Sequence, residues 1–232
     1  MTRRIAIIPA RGGSKRIPHK NVRNFCGKPM IAYILETARA SGLFDVIHVS
    51  TEDEHVRKTV ENLGLTIDFM RPPELADDYT PIMPVLKYVT DEYADRGNKF
   101  DEVWSLMACA PFVESGDFHG AADMLPRAGG HRAVLAVSQY PVPIEWAYSR
   151  ADDGSLTPEM PGMFAVRSQD IEKKYFDTGT FAAFPNAMVR DSDGPGSDSA
   201  YVGYVLERKK AIDIDDESDW GLAESMFHSL HR

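Results

Sequence analysis

Ile5-Ala6-Ile7-Ile8-Pro9-Ala10-Arg11-Gly12-Gly13-Ser14-Lys15-Arg16-Ile17-Pro18-His19-Lys20-Asn21 is an apolar, buried-strand run that ends in a glycine pair and then turns cationic. Residues 1–35 hold eight Lys or Arg and no Asp or Glu, although the chain as a whole carries net −9. A basic loop after a first β-strand, set in an acidic protein, suggests a polyphosphate site, the alternative being a plain solvated loop. Gly12 and Gly13 let backbone N–H groups come close to phosphate oxygens because no Cβ intervenes. Arg11, Lys15 and Lys20 supply neutralising charge. Open α/β sheets bind ligands at the carboxyl ends of their strands, which is where this loop falls. The spacing is neither G-x-x-x-x-G-K-[ST] nor G-x-G-x-x-G, so a P-loop NTPase and a dinucleotide site are not indicated.

Working outward, strand-like and helix-like segments alternate. Strands are predicted over 4–9, 44–50, 65–70, 102–107 and 132–138. Helices are predicted over 29–41, 53–63 (ended by Gly64), 81–95 and 115–125, the last with Ser115 as a possible N-cap. This βαβα rhythm predicts an α/β fold with a mainly parallel sheet and helices on both faces. It breaks at Gln139. Residues 139–200 are rich in Pro, Gly, Ser and aromatics, and predict an inserted lobe of short strands and loops that could pair with another subunit. Within it, Phe176, Phe181 and Phe184 suggest a small core or interface, and 192–199 a mobile loop. Strands return at 201–206 and 211–214. Asp216 then caps a last helix, with Asp219 completing a capping-box variant.

The 232 residues and 43% hydrophobic content fit one domain with a substantial insertion. No apolar run approaches the roughly 18 residues that span a bilayer, and the N-terminus shows no secretory apolar region. Two cysteines make no disulfide framework in a chain of this size. A cytoplasmic protein without membrane contact is expected. The acidic net charge argues against nucleic acid as a general partner.

Several further residues could carry chemistry. Asp213 and Asp215 alternate with Ile212 and Ile214. On a strand both carboxylates would share one face and suit a Mg²⁺ that also takes phosphate oxygens; taken alone they fit helix capping better, and the basic loop elsewhere in the chain favours the metal. Arg71 before Pro72-Pro73 is either a surface arginine in a rigid turn or a planar donor fork beside a ligand. Asp77, Asp78 and Thr80 could take ribose hydroxyls, or simply make a turn. Arg167 could pair a carboxylate and Gln169 a sugar, or both could lie on a plain surface loop.

In this order the motifs resemble the N-acylneuraminate cytidylyltransferases, which activate nine-carbon keto-sugar acids. The anchors run along essentially the whole chain. They are the Ile-Pro-Ala-Arg-Gly-Gly-Ser-Lys stretch ending at Lys15, Lys20-Asn21, Gly27-Lys28-Pro29-Met30, Val49-Ser50-Thr51, Arg71-Pro72-Pro73-Glu74-Leu75-Ala76, Ala110-Pro111, Arg167-Ser168-Gln169-Asp170 and Asp213-Ile214-Asp215. Met107-Ala108-Cys109-Ala110-Pro111-Phe112 and Tyr175-Phe176-Asp177-Thr178-Gly179-Thr180-Phe181 are most similar to the branch that activates pseudaminic acid. Cys109 and Thr180 depart from that branch, where Thr and Gln are usual.

The resemblance implies a Rossmann-like, three-layer nucleotidyltransferase fold whose extension crosses into the partner of a homodimer. It implies a reaction of CTP with a nonulosonic acid, giving a CMP-sugar and pyrophosphate. Arg11, Lys15 and Lys20 are the implied catalytic groups. Ala10, Gly12, Gly13, Ser14, Asn21, Arg71 (toward cytosine) and Asp77 or Thr80 (toward ribose) would complete the nucleotide site. Ala108, Cys109, Arg167, Gln169 and Asp170 would face the sugar, and Asp213 and Asp215 would hold Mg²⁺ or Mn²⁺. N-acetylneuraminate, legionaminate and 3-deoxy-manno-octulosonate cytidylyltransferases, nucleoside-diphosphate-sugar pyrophosphorylases and a non-catalytic nucleotide-sugar-binding protein are the alternatives.

Overall fold

The computed structural model describes residues 2–196 and 199–230, and places β1 (Arg4–Pro9) inside a six-stranded sheet. Along the chain follow a short hairpin, β2 (Asn24–Phe25) and β3 (Lys28–Pro29), then α1 (Met30–Ser41), β4 (Val46–Ser50), α2 (Glu54–Asn62), α3 (Ile82–Asp95) and β5 (Glu102–Leu106). Next come α4 (Ser115–Met124), β6 (Ala133–Gln139), a second hairpin of β7 (Tyr148–Arg150) and β8 (Leu156–Pro158), β9 (Tyr175–Pro185), α5 (Asn186–Arg190), β10 (Tyr201–Val205) and α6 (Glu217–Leu230). The sheet order is β10-β6-β9-β5-β1-β4, and every neighbouring pair is parallel except those made by β9.

The alternation in β1 explains the layers. Ala6 and Ile8 point to one face, where Ile31, Ile34 and Leu35 of α1, Val56 and Val60 of α2, and Phe118 of α4 cover them. Ile5 and Ile7 point to the other, under Leu86, Val89 and Tyr93 of α3. Both faces are therefore buried, as a parallel sheet requires. A third cluster packs Trp220 and Ala223 of α6 against Ile17, Phe25 and Met30, and so pins the basic loop to the last helix.

The predicted helices lie where periodicity put them, with boundary changes that the caps explain. Asp53 is the N-cap of α2, accepting from the His55 and Val56 N–H groups at 2.7 and 2.9 Å. Helix α4 is capped by Glu114 rather than Ser115, in a capping box with Asp117. The Asp216–Asp219 box at α6 is present: the Asp216 carboxylate accepts from the Asp219 N–H, and Asp219 accepts from the Asp216 N–H.

Three expectations need correction. Residues 65–70 form no strand; only Ile67 of this run is buried, and the segment pairs with nothing in the sheet. Residues 211–214 are not a strand either. The 139–200 stretch is not one lobe. Only about 140–174 stands apart as an arm, whereas β9 enters the main sheet antiparallel between β5 and β6. Phe181 and Phe184 accordingly lie in the main cores. The register of β9 against β6 shifts between Leu135 and Val137, and Gly179 takes the left-handed φ of 59° there. Of the 192–199 loop, residues 197 and 198 lie outside the described residues.

Candidate active site

Strands β1, β4 and β5 end side by side, and the chain leaving them encloses a cleft of about 550 Å³. Arg11, Lys15, Arg16 and Lys20 line it from one side, Arg71 and residues 75–82 from another, and Met107 and Asp215 complete the rim. Five cations outnumber Asp77, Asp78 and Asp215 on the same lining, so the cleft keeps a net positive charge suited to a polyanion.

The glycine pair works differently from the sequence expectation. Ala10 is fully buried, and its N–H donates to the Ser50 carbonyl at 2.9 Å. The Gly12 N–H is already committed, donating to Glu52 Oε1 at 2.8 Å. A Cβ on Gly12 would lie 2.1 Å from Asp53 Oδ2, so glycine is needed for close approach of loop to loop. Gly13 has open space around it. The cationic side chains, rather than the Gly12 amide, face the cleft.

Those cations are held by carboxylates. Arg11 Nη1 donates to Asp78 Oδ1 at 2.6 Å, and Lys15 also pairs with Asp78. Lys15 first and Arg11 second hold the Asp78 carboxyl below its ordinary range. Arg16 pairs with Asp215 at 2.9 Å. Lys20 donates to the Ile214 carbonyl at 2.7 Å and lies 3.4 Å from Asp215, joining the basic loop to the acidic segment. Asn21 donates to the Arg11 carbonyl at 2.9 Å, and its own Oδ1 lies 3.5 Å from the Cys109 thiol. Burial pushes that thiol up to about 12, so it stays neutral.

Arg71 is buried, with Nη2 donating to Glu52 Oε2 at 2.8 Å and Nε left without a partner. Asp77 Oδ1 accepts from the Tyr79 and Thr80 N–H groups and from the Thr80 hydroxyl, the turn chemistry that its sequence allowed. Asp213 and Asp215 stay neighbours without a strand. Asp213 is exposed, and it is pushed above its ordinary value first by partial loss of hydration and then by the Asp215 charge; Lys20 and Arg16 offset this only in part. Asp215 is paired with Arg16 and Lys20 while Asp213 stays exposed, and two neighbouring carboxylates beside a polyanion site suit a hard divalent cation with oxygen ligands. Among the described residues no group of three or more His, Cys, Asp or Glu is arranged to hold a metal alone, so water or ligand oxygens would complete the shell.

The sugar-side expectations divide. Ala108 is in the core and Cys109 is half-buried behind the wall, beside Asn21. Arg167, Gln169 and Asp170 are exposed on the arm and do not border the cleft; Arg167 pairs with Asp170 at 2.8 Å. Met107, which sequence reasoning passed over, is the residue of that stretch on the cleft wall. With Ile82 it also borders an adjoining cavity of about 240 Å³, lined further by Leu135, Thr180, Phe181 and Phe184. Its position as the first residue after a buried strand was the available signal.

Known proteins resemble this chain along most of its length. A family model described as cytidylyltransferase matches residues 5–133. Pseudaminic acid cytidylyltransferase of Campylobacter jejuni is 30% identical over 98% of this chain and 97% of that protein. CMP-N,N'-diacetyllegionaminic acid synthase of Legionella pneumophila is 26% identical over 96% and 95%. A solved CMP:2-keto-3-deoxy-manno-octonic acid synthetase complexed with CTP superimposes with a TM-score of 0.73, covering 99% of this chain and all of that one; its 15% identity speaks to fold alone.

Proposed function

Since the chain belongs to the cytidylyltransferase family, we propose that it joins CTP to pseudaminic acid, giving CMP-pseudaminic acid and pyrophosphate. The observation that carries this is the cleft at the ends of β1, β4 and β5, where Arg11, Lys15, Arg16, Lys20 and Arg71 converge. The anomeric hydroxyl oxygen of the sugar attacks the α-phosphorus in line. The bond from that phosphorus to the bridging oxygen breaks, pyrophosphate leaves, and the hydroxyl proton passes to solvent. Arg11, Lys15 and Lys20 hold the triphosphate and balance the charge that grows on the leaving oxygens. Arg71 faces cytosine; Asp77 and Thr80 form the ribose side.

Asp213 and Asp215 would hold Mg²⁺ or Mn²⁺, which supplies Lewis-acid stabilisation of the phosphoryl oxygens when bound. Lys20, bonded to the Ile214 carbonyl, keeps that pair against the basic loop. The cavity beside Met107 takes the acylated part of the sugar. The 30% identity to a pseudaminic acid cytidylyltransferase and the largely apolar lining of that cavity support pseudaminic acid over more hydroxylated acids.

The arm is read as a dimer contact. Val142, Leu156, Met160 and Phe164 are exposed on it, Phe164 by 85%. Covering them with a second copy would carry Arg167 and Gln169 toward a partner's cleft; a monomer in sedimentation would remove this part of the reading. We place the enzyme in the cytoplasm, where CTP is made. The decisive experiment is pyrophosphate release from CTP with pseudaminic, N-acetylneuraminic, legionaminic and 3-deoxy-manno-octulosonic acids. Release with none of them refutes the assignment, and binding of CTP without release supports a non-catalytic binding protein.

A further inference from the structure

Glu52 lies outside the cleft lining and in none of the motifs above, yet its two oxygens reach two walls of the site. Oε1 accepts from the Gly12 N–H at 2.8 Å, and Oε2 accepts from Arg71 Nη2 at 2.8 Å. Both contacts are half-buried, where such bonds are less screened than on an open surface. The backbone reinforces them. The Arg71 N–H donates to the Thr51 carbonyl at 2.8 Å, and the Ala10 N–H to the Ser50 carbonyl at 2.9 Å. Asp53 closes on Gly12 from the next position. The loop after β1 and the arginine at 71 are thus referenced to one short segment at the end of β4, and Glu52 is the side chain that touches both.

Arg71 is in consequence a directed group. Its side chain is only 4% exposed. With Nη2 held and the side chain packed on nearly all sides, the guanidinium has little room to turn, and its remaining donors are restricted in direction. A guanidinium has donors only. Cytosine offers acceptors at N3 and O2, whereas uracil presents an N3–H donor. A fixed donor fork therefore accepts cytosine and opposes uracil; a loose one can turn to meet the uracil carbonyls.

We propose that Glu52 is the positioning residue for base selection, bracing Arg71 against the basic loop so that the base and the triphosphate are registered together. This rests on the cytidylyltransferase reading above. It excludes direct contact of Glu52 with nucleotide and makes discrimination, rather than folding, the property most sensitive to its loss.

The test is calorimetric binding of CTP and of UTP, which needs no turnover, to wild type, E52Q, R71A and the double variant. Glutamine keeps the size but turns one acceptor into a donor, so it cannot serve both Gly12 N–H and Arg71. The CTP-to-UTP affinity ratio should fall about tenfold in E52Q, and kcat/KM with CTP by on the order of 10²-fold. In the R71A background the same change should leave the ratio unaltered. Should E52Q not fold, E52D, which keeps the charge but shortens the reach, is expected to lower the ratio likewise. A folded E52Q, or E52D in its place, that weakens both nucleotides equally overturns the base-selection role and leaves the enzyme assignment intact. Wild type that binds neither nucleotide overturns both.

Discussion

Asp78 Oδ1 accepts from Arg11 Nη1 at 2.6 Å, so a carboxylate occupies the cationic group that the triphosphate needs. Lys15 pairs with the other oxygen of the same carboxylate. Both pairs are exposed, and exposed pairs are weak, so a polyphosphate with Mg²⁺ can displace them. On the proposed reading CTP would have to break them on entry, and they would re-form as pyrophosphate leaves. Asp78→Asn should therefore lower the KM for CTP and the inhibition constant for pyrophosphate together, each by about two- to fivefold. Product-inhibition kinetics measure both. A rise in both constants instead would mean that Asp78 helps hold the ligand.

Arg11→Ala and Lys15→Ala should fold and fail to turn over. Neither side chain belongs to a core cluster, so the melting temperature should change little. Losing one donor to a developing phosphate charge lowers kcat by about 10²–10³-fold. Steady-state pyrophosphate release beside a thermal melt separates the two effects. Near-normal kcat in a folded Arg11→Ala protein would refute the polyphosphate cradle.

Much of this was legible from the chain, and the exceptions share a cause. Periodicity marks β1, α1 and α3 because each buries a face against a neighbour in ordinary order. Strand β9 was not legible, since it returns from the arm to fill a gap between β5 and β6, a choice made by distant residues. The alternation at 211–214 looks like a strand, but the Ile214 carbonyl goes to Lys20 instead of a sheet partner. Lys210 is buried against Asp117 and Glu114, tying the start of that segment to α4. In the site, Arg11, Lys15 and Lys20 could be read from charge and glycine spacing. Glu52 could not, because a single acid after a strand announces no partner. Met107 was hidden by more suggestive neighbours, Ala108 and Cys109.

Asp213 is pushed up by partial loss of hydration and then by Asp215, but it is exposed, so water screens most of the cost that its ionised form sets against folding. That cost is present at neutral pH, above the raised value. It disappears as pH falls through that value to the ordinary 3.8. Asp213→Asn should accordingly melt at or slightly above the wild-type temperature at pH 7, with the difference shrinking in acid. The same variant, and Asp215→Asn, should need more Mg²⁺ for half-maximal rate. Wild-type Mg²⁺ dependence in both would assign the carboxylates to structure alone.

His48 is buried on β4 and stacks on Phe69, with Nδ1 3.3 Å from the Tyr93 hydroxyl and Nε2 unpartnered. Burial pushes it down to about 4 from the ordinary 6.5; Asp68 opposes the shift and Arg96 adds to it. The unfolded chain then takes up a proton below 6.5 that the folded chain refuses until about 4. The resulting stability is full above that window and is lost as pH falls through it. Between pH 7 and pH 5 wild type should lose about 2 kcal/mol more than His48→Gln. Urea melts at the two pH values test this, and equal losses would place the acid sensitivity elsewhere.

If the cavity beside Met107 takes the acylated part of the sugar, as proposed, its walls decide which sugar is used. Its walls are mainly apolar, from Ile82, Leu135, Phe181 and Phe184, with Ser105, Asp177, Thr180 and Tyr201 as the polar residues. Pseudaminic acid carries more acyl substitution and fewer free hydroxyls than N-acetylneuraminic acid, so it leaves fewer polar groups unpaired there. An apolar pocket rejects an added hydroxyl only weakly, by about 10²-fold at most, whereas a pocket built around a hydroxyl rejects its absence far more strongly. Preference without complete exclusion is therefore expected when the two sugars compete for limiting CTP and the CMP-sugars are resolved by mass. Met107→Gln, which brings an amide to the shared wall, should narrow the ratio by raising use of N-acetylneuraminic acid. Predominant CMP-N-acetylneuraminate from wild type would reassign the sugar and leave the nucleotidyl transfer standing.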